Sequence, residues 1–176
     1  MRTESFLLPP HDWVPNNPHL PVVVHRGVSD AQGSALQADA LEALFARHGW
    51  PPQWRDGVYD YHHYHSTAHE VLGVFAGSAA LLLGGPGGRQ IEVHAGDVLV
   101  LPAGTGHCCL EHRDGFQVVG AYPQGQDWDV QRGAADAAIL QRIARLPDPP
   151  NDPVTGQGLS RRVSMRMTKV TVTSRT

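Results

Sequence analysis

The period of apolar positions changes along the chain. Between residues 34 and 48, Leu36, Ala40, Leu41, Leu44 and Phe45 recur at helical spacing. A stripe of that width is what an amphipathic helix buries against a core. Ser34 is placed to cap this helix and Gly49 to stop it. From residue 53 to 122 the helical period vanishes, and short apolar runs at 71–76, 79–83, 90–94, 108–111 and 116–122 are separated by Gly and Pro. Such punctuation predicts antiparallel strands, with the Gly84-Gly-Pro-Gly-Gly88 stretch as the turn of a hairpin. A turn-rich leader to Pro21 precedes a strand at 22–25, and residues 134–146 return to helix with Ile139, Leu140 and Ile143 inward. The pattern predicts a mainly β domain with a helix on either side of the strands, each packed against its outside or end.

Two stretches within the β region carry metal-binding chemistry. His63 and His65 are two residues apart, so on a strand their rings share one face, roughly 6.6 Å apart at the backbone given about 3.3 Å rise per residue. Glu70 opens the next apolar run and His107 follows the turn at Pro102 and Gly104. Three imidazoles and a carboxylate suit a borderline transition metal, bound at about 2.0–2.1 Å. The four converge only if the strands curl into a barrel or sandwich with one shared interior. His69 is an alternative to His63 as ligand, a residue that orients one, or equally a loop histidine facing solvent; His62 falls on the opposite face, and His94 and His112 are read as surface residues. The same alternation places Tyr59 and Tyr61 with His63 and His65, Leu72 and Val74 with Glu70, and Cys109 and Glu111 with His107. Tyr61, Cys109 and Glu111 are therefore the residues expected near a substrate.

The ordered pattern G-x5-H-x-H-x4-E-x6-G, from Gly57 to Gly77, and G-x5-P-x-G-x2-H, from Gly96 to His107, resembles the two signature motifs of the cupin superfamily. Val14-Pro-Asn-Asn-Pro18 and Ala121 to Trp128 extend the likeness to a family of small single-domain bacterial cupins. The resemblance implies an all-β fold with flanking helices, a jelly-roll barrel of the double-stranded β-helix type. It implies one divalent ion (Fe, Mn, Ni or Zn) on His63, His65, Glu70 and His107, and a small-molecule ligand or substrate. Oxygen-dependent oxidation of a small organic acid or thiol is the leading expectation. The alternatives are an isomerase or lyase, and a non-enzymatic small-ligand binder. One departure stands out: Glu111 occupies a position where many cupins carry Asn.

Length and charge set limits. A chain of 176 residues with a single copy of each motif suits one domain, assigned to 1–152, with motif 1 at 57–77 and motif 2 at 96–111. No apolar run is long enough to span a membrane, and residues 6–8 are too short for a secretory core, so a cytoplasmic location is expected. Cys108 and Cys109 are adjacent and would face opposite sides of a strand, which disfavours a mutual disulfide. Net charge is −3, yet Arg161, Arg162, Arg166, Lys169 and Arg175 stand in a segment without acids. Residues 153–176 are accordingly read as a basic tail, disordered or added as a strand to a neighbouring subunit. Nucleic acid is disfavoured as its partner, because no recognised module accompanies the charges. A homodimer is expected.

Overall fold

The computed structural model describes residues 1–158. Its strands are β1 (Arg2–Phe6), β2 (Val22–Arg26), β3 (Pro52–Asp56), β4 (Glu70–Leu83), β5 (Arg89–His94), β6 (Val98–Leu101) and β7 (His107–Ala121). The helices are α1 (Ala38–Arg47) and α2 (Ala137–Arg145). The strands form one antiparallel sheet ordered β1-β2-β6-β4-β7-β3, with β5 on β4 beyond the end of β6. The first half of β4 pairs with β6, the second half with β5, and the other edge runs along β7 throughout. The expected curled, mainly β architecture with two helices is what is found.

Curling follows from where β4 changes its inward parity. Leu72 and Val74 point into the interior, and beyond the irregularities around Gly77 the inward set becomes Ala79, Leu81 and Leu83. Gly77 has φ +67°, and an added Cβ there would overlap the Arg113 carbonyl. Only glycine fits that close crossing at little cost. The interior is filled by Val22, Val24, Leu72, Leu81, Val93, Leu99 and Val118 from five strands. On the other face Leu41 and Phe45 of α1 cover Val71, Val98 and Val119. Phe45 comes so close to Gly73 that an added Cβ would lie 2.8 Å from its ring.

Several elements depart from the sequence expectation. Helix α1 begins at Ala38 and not at Ser34, because the Asp30 carboxylate accepts the N–H groups of Gln32 and Ser34 and folds that stretch into a turn. Its cap position is Gln37, which makes no side-chain capping bond. Helix α2 is capped by Asp136, which accepts from Ile139 N–H. Ile143 is buried as expected, but Leu140 is exposed. The leader contains a strand, β1, and the runs at 108–111 and 116–122 are parts of one strand, β7. Residues placed in the tail also begin within the folded body. Pro153 O accepts from His48 Nδ1, and the adjoining Asp152 is buried against His25 at 2.7 Å. The basic residues from 161 onward lie outside the described residues.

Candidate metal centre

His63 and His65 sit on an extended segment that is not part of a ladder strand. It is held by two isolated bridges, His63 with His107 and Tyr64 with Gln131. Alternation still applies to extended backbone. The two imidazoles share a side, while Tyr64 turns away and packs on Trp13. The first of these bridges joins two of the histidines directly: His63 N–H donates to His107 O at 3.2 Å and His107 N–H to His63 O at 2.9 Å. Glu70 enters from the first residue of β4.

All four residues are buried. The three imidazoles bring one nitrogen each within 4.8 Å of one another. Each ring's other nitrogen faces a main-chain carbonyl: His63 Nδ1 to Tyr61 O at 3.1 Å, His107 Nδ1 to Thr105 O at 3.0 Å, and His65 Nδ1 to Asp129 O. A carbonyl only accepts, so each Nδ1 carries the hydrogen and each neutral ring presents a bare Nε2 lone pair. The Glu70 carboxylate lies 3.2 Å from His65 Nε2 and 3.1 Å from His107 Nε2. His65 Nε2 and Glu70 Oε1 are nonetheless buried without a hydrogen-bond partner. Lone pairs and a carboxylate that face one another away from water require a cation between them, either a proton or a metal ion. The donor set fits a divalent transition metal.

With a proton as that cation, the electrostatics place it between His65 and Glu70 and leave His63 bare. Burial, with His107 alongside, pulls the His63 pKa down to about 3, so this ring is neutral at any working pH. Burial would also lower His65, but the Glu70 carboxylate outweighs it and raises the pKa. Burial works against the Glu70 anion, yet His65 and His107 hold its pKa well below the usual range. Tyr122 adds a hydrogen bond from its hydroxyl to Glu70 Oε2 at 2.7 Å and accepts one from Trp54 Nε1 at 2.9 Å.

The cluster opens into a cavity of about 240 Å³. Trp54, Leu72 and Tyr122 form its inner wall, and the more exposed Tyr59, Trp128 and Val130 its outer part. Trp128 stacks on Tyr122 with ring centres 4.6 Å apart. The loop that carries Trp128 and Val130 is fastened by Asp129, whose carboxylate accepts the N–H and hydroxyl of Ser66 and a bond from Gln131.

The structure brings His63, His65, Glu70 and His107 together, but it distributes the expected wall residues differently. Glu111 is outside the cavity. The ladder slips between Ala80 and Leu81, leaving Leu110 bulged, and turns Glu111 outward, 67% exposed and 3.3 Å from Arg113. Cys109 keeps the parity of His107 but packs in the apolar interior, where burial raises its thiol pKa. Tyr61 is stacked on Tyr59 and covered by Arg132, outside the cavity lining, and meets the centre through its carbonyl and an edge contact of its ring with His63 at 5.6 Å between centres. The His69 ring stands outside the cluster, occupied on both nitrogens by main-chain groups. Its Nδ1 accepts from Ala103 N–H, its Nε2 faces Pro147 O, and burial lowers its pKa to about 4.

Residues that sequence patterning passed over are Tyr122, Trp54, Trp128, Asp129, Asn16 and Asn17. Asn16 donates to Pro9 O and Gly84 O and accepts from Gly106 N–H, while Asn17 donates to Ala103 O. The two asparagines fix the turn that delivers His107. Asn16 and Asn17 lie in the Val14–Pro18 stretch and Tyr122 and Trp128 in the Ala121–Trp128 stretch, which carry likeness but no recognisable chemical pattern, whereas Trp54 and Asp129 lie outside both.

A family model described as Cupin matches residues 59–133. The chain is 36% identical over 157 residues to the uncharacterized protein YjlB of Bacillus subtilis (strain 168), covering 88% of this chain and 92% of that protein. A solved structure of Streptomyces albus HEPD with 2-hydroxyethylphosphonate and Fe(II) bound aligns at 11% identity and a TM-score of 0.28. That alignment covers 76% of this chain and 22% of the other, so the chain spans about a fifth of that protein's length. No helix among the described residues is long and apolar enough to cross a membrane.

Proposed function

Because this chain belongs to the cupin family, we propose that it is a metal-dependent enzyme that holds one divalent ion on His63, His65, His107 and Glu70 and acts on a small organic molecule, with oxygen-dependent oxidation as the leading chemistry. The observation that carries the proposal is the tautomer lock. Three carbonyls take the three Nδ1 hydrogens, so three buried Nε2 lone pairs converge beside a carboxylate. When bound, the metal supplies Lewis-acid polarisation or, if redox-active, one-electron chemistry with dioxygen.

The chain's own residues do the rest. Tyr122 spends its proton on Glu70 Oε2, which leaves Oε1 as the carboxylate oxygen without a partner. Burial and the neighbouring Glu70 push the Tyr122 pKa far up, so it stays a phenol and acts as donor, never as base. Trp54, Leu72 and Trp128 give the side where a substrate would approach an apolar surface. Protein ligands on one side and a cavity on the other leave coordination positions for a substrate.

Metal analysis of protein produced with Fe, Mn, Ni or Zn supplementation tests the reading. One equivalent retained by the wild type and lost in His107→Ala is expected, and no retention with any of the four metals would end it. Oxygen uptake by the Fe(II)-loaded protein with small acids and thiols then tests the oxidative chemistry. A homodimer paired through the outer edge of β1 is proposed alongside, and light scattering reads it.

A further inference from the structure

The cavity walls restrict what can enter. Among the described residues no lysine or arginine lines it, and the one charged wall residue apart from the cluster itself is Asp56. The inner wall's polar ends are already spent: the Trp54 indole N–H is given to Tyr122, and the Tyr122 hydroxyl to Glu70. What Trp54, Tyr122 and Leu72 offer a ligand is therefore π surface and hydrocarbon. Along this inner wall a polar group of the ligand finds its partner at the histidine and Glu70 cluster, while the other aromatic polar ends, on Tyr59 and Trp128, belong to the more exposed outer part. With neutral imidazoles, a divalent ion and one carboxylate leave a single net positive charge there, which one anionic oxygen neutralises. A second anionic group would be desolvated without a cation and would face Glu70 or Asp56.

Resting on the metal reading above, we propose that the site takes a small aromatic monoanion: one flat ring carrying a single carboxylate or comparable oxygen anion that reaches the metal. Size points the same way. A cavity of about 240 Å³ falls below the roughly 300–1,000 Å³ typical of sites for drug-sized ligands, and it suits one ring. Flat aromatic walls gain most from a flat ligand, through offset or edge contacts. The Tyr122 and Trp128 stack, with planes 6° apart, extends such a surface from beside Glu70 to the half-exposed rim.

The test uses full-length protein loaded with Zn(II), which has no redox turnover, and reads binding by calorimetry and tryptophan fluorescence. Metal content is measured first. The probes are benzoate, acetate (same head, no ring) and terephthalate (same ring, second anion). Benzoate is expected to bind about tenfold or more tighter than acetate, as burial of one ring implies, and tighter than terephthalate by a similar factor. Trp128→Ala should lose most of the benzoate advantage over acetate while retaining its metal. Val130→Lys, which adds a cation to the wall, should bring terephthalate close to benzoate. Absence of bound metal would overturn the metal reading and the substrate class together. Bound metal with acetate or terephthalate equal to benzoate would overturn the substrate class alone. A benzoate preference unchanged in Trp128→Ala, or terephthalate unaffected in Val130→Lys, would also count against it.

Discussion

The main chains of His63 and His107 exchange both hydrogen bonds, His63 N–H to His107 O and His107 N–H to His63 O, so two residues far apart in sequence are locked side by side before any side chain acts. Their rings follow, with centres 4.1 Å apart. The lock needs no side-chain atom. Truncating either imidazole should therefore remove a ligand without releasing the segment. His63→Ala and His107→Ala are expected to stay folded by circular dichroism and to lose the bound metal by elemental analysis. Retention of full stoichiometry in either variant would mean that the ion sits elsewhere.

Tyr122 links the centre to its wall. In Tyr122→Phe, Glu70 Oε2 loses its donor and Trp54 Nε1 its acceptor. Stability should fall by about 1–3 kcal/mol, the usual cost of a buried polar group left unpaired. Metal affinity should fall by about 10–100-fold, as for other residues that orient a ligand. Competition with a chelator and a denaturation midpoint measure the two separately. A change in stability with affinity intact would make Tyr122 a packing residue only.

The sequence was legible where chemistry and spacing coincide, and less so elsewhere. His63, His65, Glu70 and His107 could be placed because parity on extended backbone is insensitive to whether a ladder forms, and their segment makes only isolated bridges. Parity failed at Glu111 for the complementary reason. One bulged residue, Leu110, exchanges the faces of everything beyond it, and nothing in the local composition marks a bulge. The start of α1 was misplaced because Asp30 competes for the N–H groups of Gln32 and Ser34, a tertiary-independent turn hidden within a helix-like stripe. Tyr122 and Asp129 act through single long-range contacts, which leave no periodic trace.

Asp129 gives a prediction in pH. Burial would raise its pKa, but the bonds from Ser66, Gln131 and Thr67 outweigh it and bring the pKa from 3.8 down to about 2. A lowered folded-state pKa means that the anion stabilises the fold above the unfolded value and that this contribution fades as pH falls from about 4 toward 2. Asp129→Asn should be less stable than the wild type by about 1–3 kcal/mol at pH 7. The gap should narrow between pH 4 and pH 2.5 in urea titrations. A gap independent of pH would assign the loss to packing and not to charge.

Asn16 tests how far the leader governs the metal centre. Its side chain satisfies Gly106 N–H and the carbonyls of Pro9 and Gly84, and its own backbone sits at φ +50°, a conformation asparagine tolerates better than most residues. Gly104, beside it, lies so close that an added Cβ would meet Asn16 O at 2.6 Å. The leader and the turn before His107 are thus built against each other. Asn16→Ala should cost about 2–4 kcal/mol, because buried groups lose partners and the left-handed backbone loses its preferred residue. Below its lowered melting temperature the variant should still bind metal about 10-fold or more weakly than the wild type, since the turn delivering His107 is no longer held. Wild-type affinity in the folded variant would mean that the main-chain pair between His63 and His107 suffices to place the ligand, leaving the leader a purely stabilising role.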